Sequence, residues 1–172
     1  MPQGVYVKTA DVVGKYASST LYAGDILTKA KLSGDSNNAD DVLATLNGSK
    51  VAVSVTIDTF AAGLSGKLQN GDIISLIAVD KNAGTSVIPG ELKYMKVITT
   101  TTAGGIDQDS VVKNEDGSFE IPSTITVLCN TEQAKLLAKY EADITLQAAL
   151  VYRGDNETAN KFLEKQDAWI MQ

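Results

Sequence analysis

The chain predicts a mainly-β fold of the α+β kind, with two or three short helices. Three observations carry that expectation. From Val51 the sequence alternates, with Val51, Val53, Val55 and Ile57 on one side and Ala52, Ser54, Thr56 and Asp58 on the other. That period of two marks a half-buried strand. Ile73 to Val79 and Tyr94 to Thr102 are further apolar or β-branched runs of strand length, set off by turn residues. Helical signals are confined to short stretches after Asn38, after Asn130 and in the tail from Asp155.

Taken in order, Val5-Tyr6-Val7 reads as a short strand, Val12-Val13-Gly14 as a turn and Lys15 to Tyr22 as a polar, β-tolerant segment. Gly24-Asp25 then turns the chain into Ile26-Leu27, and residues 33–38 form a loop by composition. Asn38 is placed to cap a short helix with Asp40 and Asp41 in its first turn. That helix is expected to carry Val42, Leu43 and Leu46 inward and to stop at Asn47-Gly48. The strand from Val51 is followed by a small-residue loop at 61–66 and an Asn70-Gly71-Asp72 turn. Ile73 to Val79, apolar almost throughout, should be buried on both faces. Lys81 to Ser86 reads as a turn and Tyr94 to Thr102 as a strand.

Residues 103–118 are the most loop-like stretch, and Asp107, Asp109, Glu115 and Asp116 give it an acidic cast. The calcium-loop spacing fails there, because Val111 falls on a ligand position, so a solvated hairpin loop is the reading. A strand at Thr124–Cys129 leads to a helix capped by Asn130, with Gln133 completing a capping box and Ala134, Leu137, Ala138 and Tyr140 as its apolar stripe. Ile144 to Tyr152 returns to strand. In the tail, Phe162, Leu163, Trp169 and Ile170 fall near helical spacing, which fits a helix packing back on the domain or a segment docking on a partner.

Composition narrows the function. The 172 residues carry a net charge of −6, with no Lys/Arg cluster and a single arginine, Arg153. Nucleic acid is therefore not an expected partner. Histidine is absent, which removes His-based nucleophilic triads and His-ligated zinc. The lone cysteine, Cys129, sits in a strand-like apolar run and reads as a buried, inert thiol. No stretch approaches the roughly 20 apolar residues that span a bilayer.

Three segments together resemble a known family. Residues 11–32, with Gly14, Ala17, Gly24, Ile26 and Leu27, resemble the second half of a SAF module. Residues 51–79 resemble the signature stretch of the CpaB/RcpC family of Flp (Tad-type) pilus assembly proteins. The matching positions are Ala52-Val53-Ser54-Val55, Gly63 and Gly66, and Gly71-Asp72-Ile73. Residues 123–150 resemble that family's closing strand–helix–strand, with Thr131-Glu132-Gln133-Ala134 heading the helix and Arg153 ending the final strand.

The resemblance implies a β-clip-like SAF module, here its C-terminal half at 1–48, followed by a related β-rich domain at 49–154 and a helical tail at 155–172. It also implies that the chain is a piece of a longer protein whose membrane anchor and first SAF half precede Met1.

The same Gly-Asp-Ile turn occurs at Gly24-Asp25-Ile26 and at Gly71-Asp72-Ile73. Glycine permits the turn, Asp can bond the nearby amides, and the isoleucine enters the core. These four turn residues are read as architecture.

The function implied is a non-catalytic, extracytoplasmic part of the pilus assembly machine, tethered to the cytoplasmic membrane. Its partners would be other pilus-assembly proteins, and homo-oligomerisation is compatible with such a role. The alternative is a module binding carbohydrate such as peptidoglycan. Tyr6, Tyr16, Tyr22 and Trp169 are the candidate glycan or partner contacts, since aromatic rings stack on sugars and anchor interfaces. An enzyme using paired carboxylates is disfavoured, because the Asp and Glu residues fall mostly in turns and first helical turns. No catalytic residue, metal ligand or cofactor is expected.

Overall fold

The alternating stretch forms β3 (Val51–Thr56), an edge of a six-stranded antiparallel sheet in the computed structural model, which describes residues 4–17, 21–29, 31–33, 39–107 and 121–171. The other strands of this sheet are β4 (Ile73–Asp80), β5 (Thr85–Val87), β6 (Met95–Thr102), β7 (Pro122–Cys129) and β8 (Thr145–Tyr152). β3 pairs with β7, β7 with β6, and β6 with the start of β4. Along its other edge β4 pairs with β8 from Ile73 to Val79, while its end folds back on β5 as a hairpin. Two small strands, β1 (Tyr16–Ala17) and β2 (Leu32–Ser33), pair with each other in a separate N-terminal sheet.

The period-two logic sorts the side chains by face. Ile74, Leu76 and Ala78 of β4 join Met95, Val97, Ile125, Val127 and Leu146 in one core cluster. Helix α2 (Thr131–Asp143) packs on that cluster through Leu137, which is wholly buried. The intervening residues point the other way. There Lys96 donates to Oδ1 of Asn156 at 3.4 Å, at the start of α3 (Asn156–Ile170). β4 and β6 are thus covered on both faces, which matches the nearly unbroken apolar sequence of β4, while β6 buries Lys96 and several threonines as well.

Cys129 is buried in the core, and burial pushes its thiol up to about 11. Glu141 of α2 accepts the backbone N–H of Thr56 at 3.0 Å, as well as its hydroxyl, and so covers the end of the open edge of β3.

Several elements differ from the sequence reading, each for a local reason. Val5–Val7 is not a strand but a single bridge from Val5 to Thr28, and among the described residues of the 15–22 segment only Tyr16–Ala17 is extended and paired. In the short helix α1 (Ala39–Ala44), Val42 and Leu46 turn inward while Leu43 is exposed. Leu43 is rotated by about 100° from Val42, and Leu46 lies beyond the end of the helix, which stops at Ala44, short of the expected Asn47-Gly48. On α2 the buried stripe runs through Gln133 and Leu137, and Ala138 faces out. The expected turn at 81–86 ends at Gly84, and Thr85 already begins β5. Asn38, Asp109, Glu115 and Asp116 lie outside the described residues; Asp107 accepts the hydroxyl hydrogen of Thr101 at 2.7 Å.

Both Gly-Asp turns have the same construction, but only Ile73 enters the core and a strand. Ile26 is 53% exposed and lies in no strand, because among the described residues no sheet covers the first turn as β6 and β8 flank the second. Gly24 and Gly71 take φ of 93° and 87°, a region that an L side chain rarely adopts. The following Asp folds its carboxylate back to accept the backbone N–H three residues earlier, Tyr22 for Asp25 and Gln69 for Asp72. Each carboxylate then meets a cation. Lys31 lies 2.9 Å from Asp25, near the surface. Asp72 is 1% exposed and is held by Arg153, whose Nε and Nη2 donate to its two oxygens at 2.7 and 2.6 Å. The same Nη2 donates to the Lys67 carbonyl at 2.6 Å. The backbone of this turn also joins β6, because Gly71 N–H donates to Val97 and Val97 N–H donates to Asp72.

Removing one partner of a buried ion pair costs about 3–5 kcal/mol, because the other charge is left desolvated. Arg153→Met is therefore expected to lower urea stability by about 3 kcal/mol, the low end of that range because Arg153 is half-exposed. Asp72→Asn should cost less, since the guanidinium it releases can reach water. Equal losses from both, or none, would show that the pair does not hold the turn.

The surface carboxylates give a second expectation. Hydrogen bonds from Lys31 hold Asp25 below its usual range, bonds from Thr145 and Lys81 do so for Asp58, and the Thr158 N–H and Tyr152 hydroxyl do so for Asp155. A carboxylate depressed in the folded state adds stability that is present above its unfolded pKa of about 3.9. That contribution is lost as pH falls through the lower folded value. The urea midpoint should accordingly fall from pH 5 to pH 2, and the gap between the wild type and Asp155→Ala should narrow over the same window.

Candidate functional site

Helix α3 builds a cleft against the irregular segment that joins β5 to β6. The helix begins at an Asp155 cap, whose side chain accepts the Thr158 N–H at 2.8 Å and the Tyr152 hydroxyl hydrogen at 2.7 Å. It packs back on the sheet through Phe162, whose ring lies 5.2 Å from Tyr94 and 5.6 Å from Tyr152. Lys50 Nζ clamps both oxygens of Asp167 at 2.6 and 2.7 Å.

Two buried glutamines fix the opposing segment. Gln166 of α3 accepts the Tyr94 N–H and donates to the Gly90 carbonyl, both at 2.9 Å. Gln133 of α2 donates to the Glu91 carbonyl at 2.7 Å while its Oε1 completes the capping box at Asn130. Backbone groups of a turn that enters no ladder are thereby satisfied by amides, as burial demands.

The cleft so formed has a volume of about 350 Å³. Tyr94 and Trp169 supply its aromatic surface, Ile88 an aliphatic edge, and Lys93 and Lys165 two ammonium groups. Both ammonium groups lie 5.8 Å from the Tyr94 ring centre, within cation–π range. Trp169 lies directly on the backbone at Gly90, where an added Cβ would come within 2.2–2.3 Å of its ring carbons.

The four aromatic residues singled out from the sequence do not form one site. Trp169 borders this cleft and is 49% exposed. Tyr6 is half-buried under the Lys15 ammonium, 5.7 Å from its ring centre. Tyr16 and Tyr22 are 45% and 74% exposed in the N-terminal segment, and among the described residues no ring contact joins the three tyrosines. Sequence reading missed Lys93, Tyr94, Lys165, Gln166 and Gly90. Only the spacing of Lys165 and Trp169, four apart on one helix face, carried a signal for the cleft. Among the described residues no group of three metal-ligating side chains converges.

Because Trp169 is the single tryptophan, its emission reports on this contact alone. Gly90→Ala should lift the indole off the backbone and shift the emission to longer wavelength. Loss of the Gln166 bonds in Gln166→Leu should cost about 1–3 kcal/mol, since two buried backbone groups lose their partners. Unchanged emission in Gly90→Ala would mean that the ring does not rest there.

A family model described as Flp pilus assembly protein RcpC/CpaB matches residues 40–151. The matched stretch runs from α1 through β3 nearly to the end of β8, and it leaves out the N-terminal sheet and α3. No curated protein and no solved structure matches the chain. With well over half of its length so matched, the chain belongs to the RcpC/CpaB family of Flp pilus assembly proteins.

Proposed function

We propose that the protein is a non-catalytic, extracytoplasmic component of the Flp (Tad-type) pilus assembly machine, working through contacts with other assembly proteins or with the cell wall. Family membership carries the assembly role. The way the polar side chains are used supports contact over chemistry. Asp72, Arg153, Gln133 and Gln166 bond backbone groups and each other, and Asp25, Asp58 and Asp155 have their carboxylates lowered by partners in turns and caps. A general acid would need the opposite shift.

In this reading residues 1–48 are the C-terminal half of a SAF-like, β-clip module, 49–154 the family's β-rich domain, and 155–172 an appended helix. The tether to the cytoplasmic membrane is an N-terminal segment of a longer protein. Among the described residues no helix is long and apolar enough to cross a membrane.

A second reading, binding of wall glycan, draws on the exposed rings of Tyr16 and Tyr22. The two are separated in cells by site-specific photocrosslinking of the full-length protein together with protease accessibility of its β-rich domain. The assembly reading expects digestion from outside the cytoplasmic membrane and crosslinks to other pilus-assembly proteins. Protection of the domain in intact spheroplasts would overturn it. For the glycan reading, the purified chain should co-sediment with insoluble wall and lose that property in Tyr16→Ala or Tyr22→Ala. No retention of the wild type rejects the glycan reading.

A further inference from the structure

The cleft between α3 and the β5–β6 connection lies beyond the family match on its helical side, and its chemistry specifies an occupant. We propose that it docks an acidic segment of a partner polypeptide, seating one apolar side chain between Tyr94 and Trp169 with carboxylates against Lys93 and Lys165. This deepens the assembly reading, on which it rests, by naming the chemistry of one protein contact.

Charge is the first argument. The chain as a whole is acidic at −6, yet two ammonium groups converge over one tyrosine ring here. Among the described residues neither lysine belongs to an ion pair. A carboxylate-bearing partner would supply the missing counter-charge and be steered to this face.

The apolar surface is the second argument. Ile88 and Trp169 are about half exposed at the rim, and Val87 beside them is 57% exposed. A Trp, a Tyr and an aliphatic edge around a shallow volume form the kind of pocket that takes a single anchoring side chain. The site is also held in shape before binding. Gln166 bonds both sides of the segment, and the indole rests on Gly90, so little ordering cost remains.

The same details disfavour the other anionic or aromatic-seeking ligands. A sugar would need neutral amides or carboxylates to bond its hydroxyls. The one amide in the lining, Gln166, already uses its oxygen and its nitrogen on the backbone. A phosphate would gain from free backbone N–H groups, and the Tyr94 N–H is occupied. An extended peptide has a further aid. The outer edge of β5 is unpaired among the described residues, and the strand runs into the cleft at Ile88.

The test titrates the purified chain with a synthetic peptide, Asp-Glu-Leu-Phe-Asp-Glu, and follows Trp169 emission at low and at physiological salt. A saturable shift is expected, weaker at higher salt, with affinity falling about two- to five-fold for Lys93→Ala and again for Lys165→Ala. These residues are exposed, so the variants should fold, which far-UV circular dichroism checks.

An equal response to the Asn/Gln version of the peptide would overturn the proposal. So would affinity unchanged in the double variant, or full displacement by millimolar inorganic phosphate. Preference for an anionic polysaccharide over the peptide would overturn it in favour of a glycan. Crosslinking in cells then distinguishes the two levels. If Lys93→Glu/Lys165→Glu keeps every crosslink to assembly proteins, this cleft is not the contact and the assembly reading stands. If the wild type makes none, the assembly reading itself fails.

Discussion

The buried carboxylate of Asp72 is the constraint around which the sheet is organised. A carboxylate at 1% exposure would be prohibitive without compensation, and here four hydrogen bonds or charges converge on its turn. The Gln69 N–H and both guanidinium nitrogens satisfy the oxygens, and the same guanidinium reaches the Lys67 carbonyl. The partners come from different parts of the chain: the turn before β4, the end of β8, and, through the Val97 backbone, β6. Three strands are thus registered at one point. Only arginine can do this, because the interaction needs a planar fork bonding two oxygens and a carbonyl at once. The chain has a single arginine, and it stands at that position.

From that point the C-terminal architecture follows. Arg153 directly follows β8, and two residues later Asp155 caps α3 and accepts the Tyr152 hydroxyl hydrogen. The helix therefore leaves the sheet in a direction set by the lock and cap together. That direction brings Phe162 onto Tyr94 and Tyr152, Asp167 to Lys50, and Gln166 to the 90–94 segment. The cleft is a consequence of this trajectory: Lys165 and Trp169 reach it because the helix is aimed there. An ion pair formed for architectural reasons positions, several turns away, the surface on which a partner could act.

The sequence made the local devices legible and left the distant pairings hidden. Period two revealed β3, apolar continuity revealed β4, and the spacing of Asn130 and Gln133 revealed the capping box that opens α2. The repeated Gly-Asp-Ile pattern pointed to two turns of one construction. What pairs with Asp72 could not be read, because the partner lies 81 residues away and a lone arginine after a strand looks like surface. The burial of Gln133 and Gln166 escaped for a related reason. Glutamine is a surface residue by habit, and each is buried only because an irregular segment offers backbone groups that need an amide. β5 was hidden in a turn-like composition, since a three-residue exposed strand has too little pattern to register.

The two Gly-Asp turns also separate what a motif specifies from what its surroundings add. Their backbone geometry is shared, with a positive φ at the glycine and an amide bound back to the aspartate. Their energetics differ. Asp25 meets a flexible lysine in water, where an ion pair contributes little. Asp72, itself buried, meets a half-exposed bidentate arginine, and losing that partner is costly. The motif alone therefore supplies a turn, and burial turns one copy into a structural lock at the entry to β4. The Gly71 turn lies within the family match and the Gly24 turn outside it. The former fixes the body that carries the family's sheet, whereas the latter shapes only the small N-terminal sheet beside it.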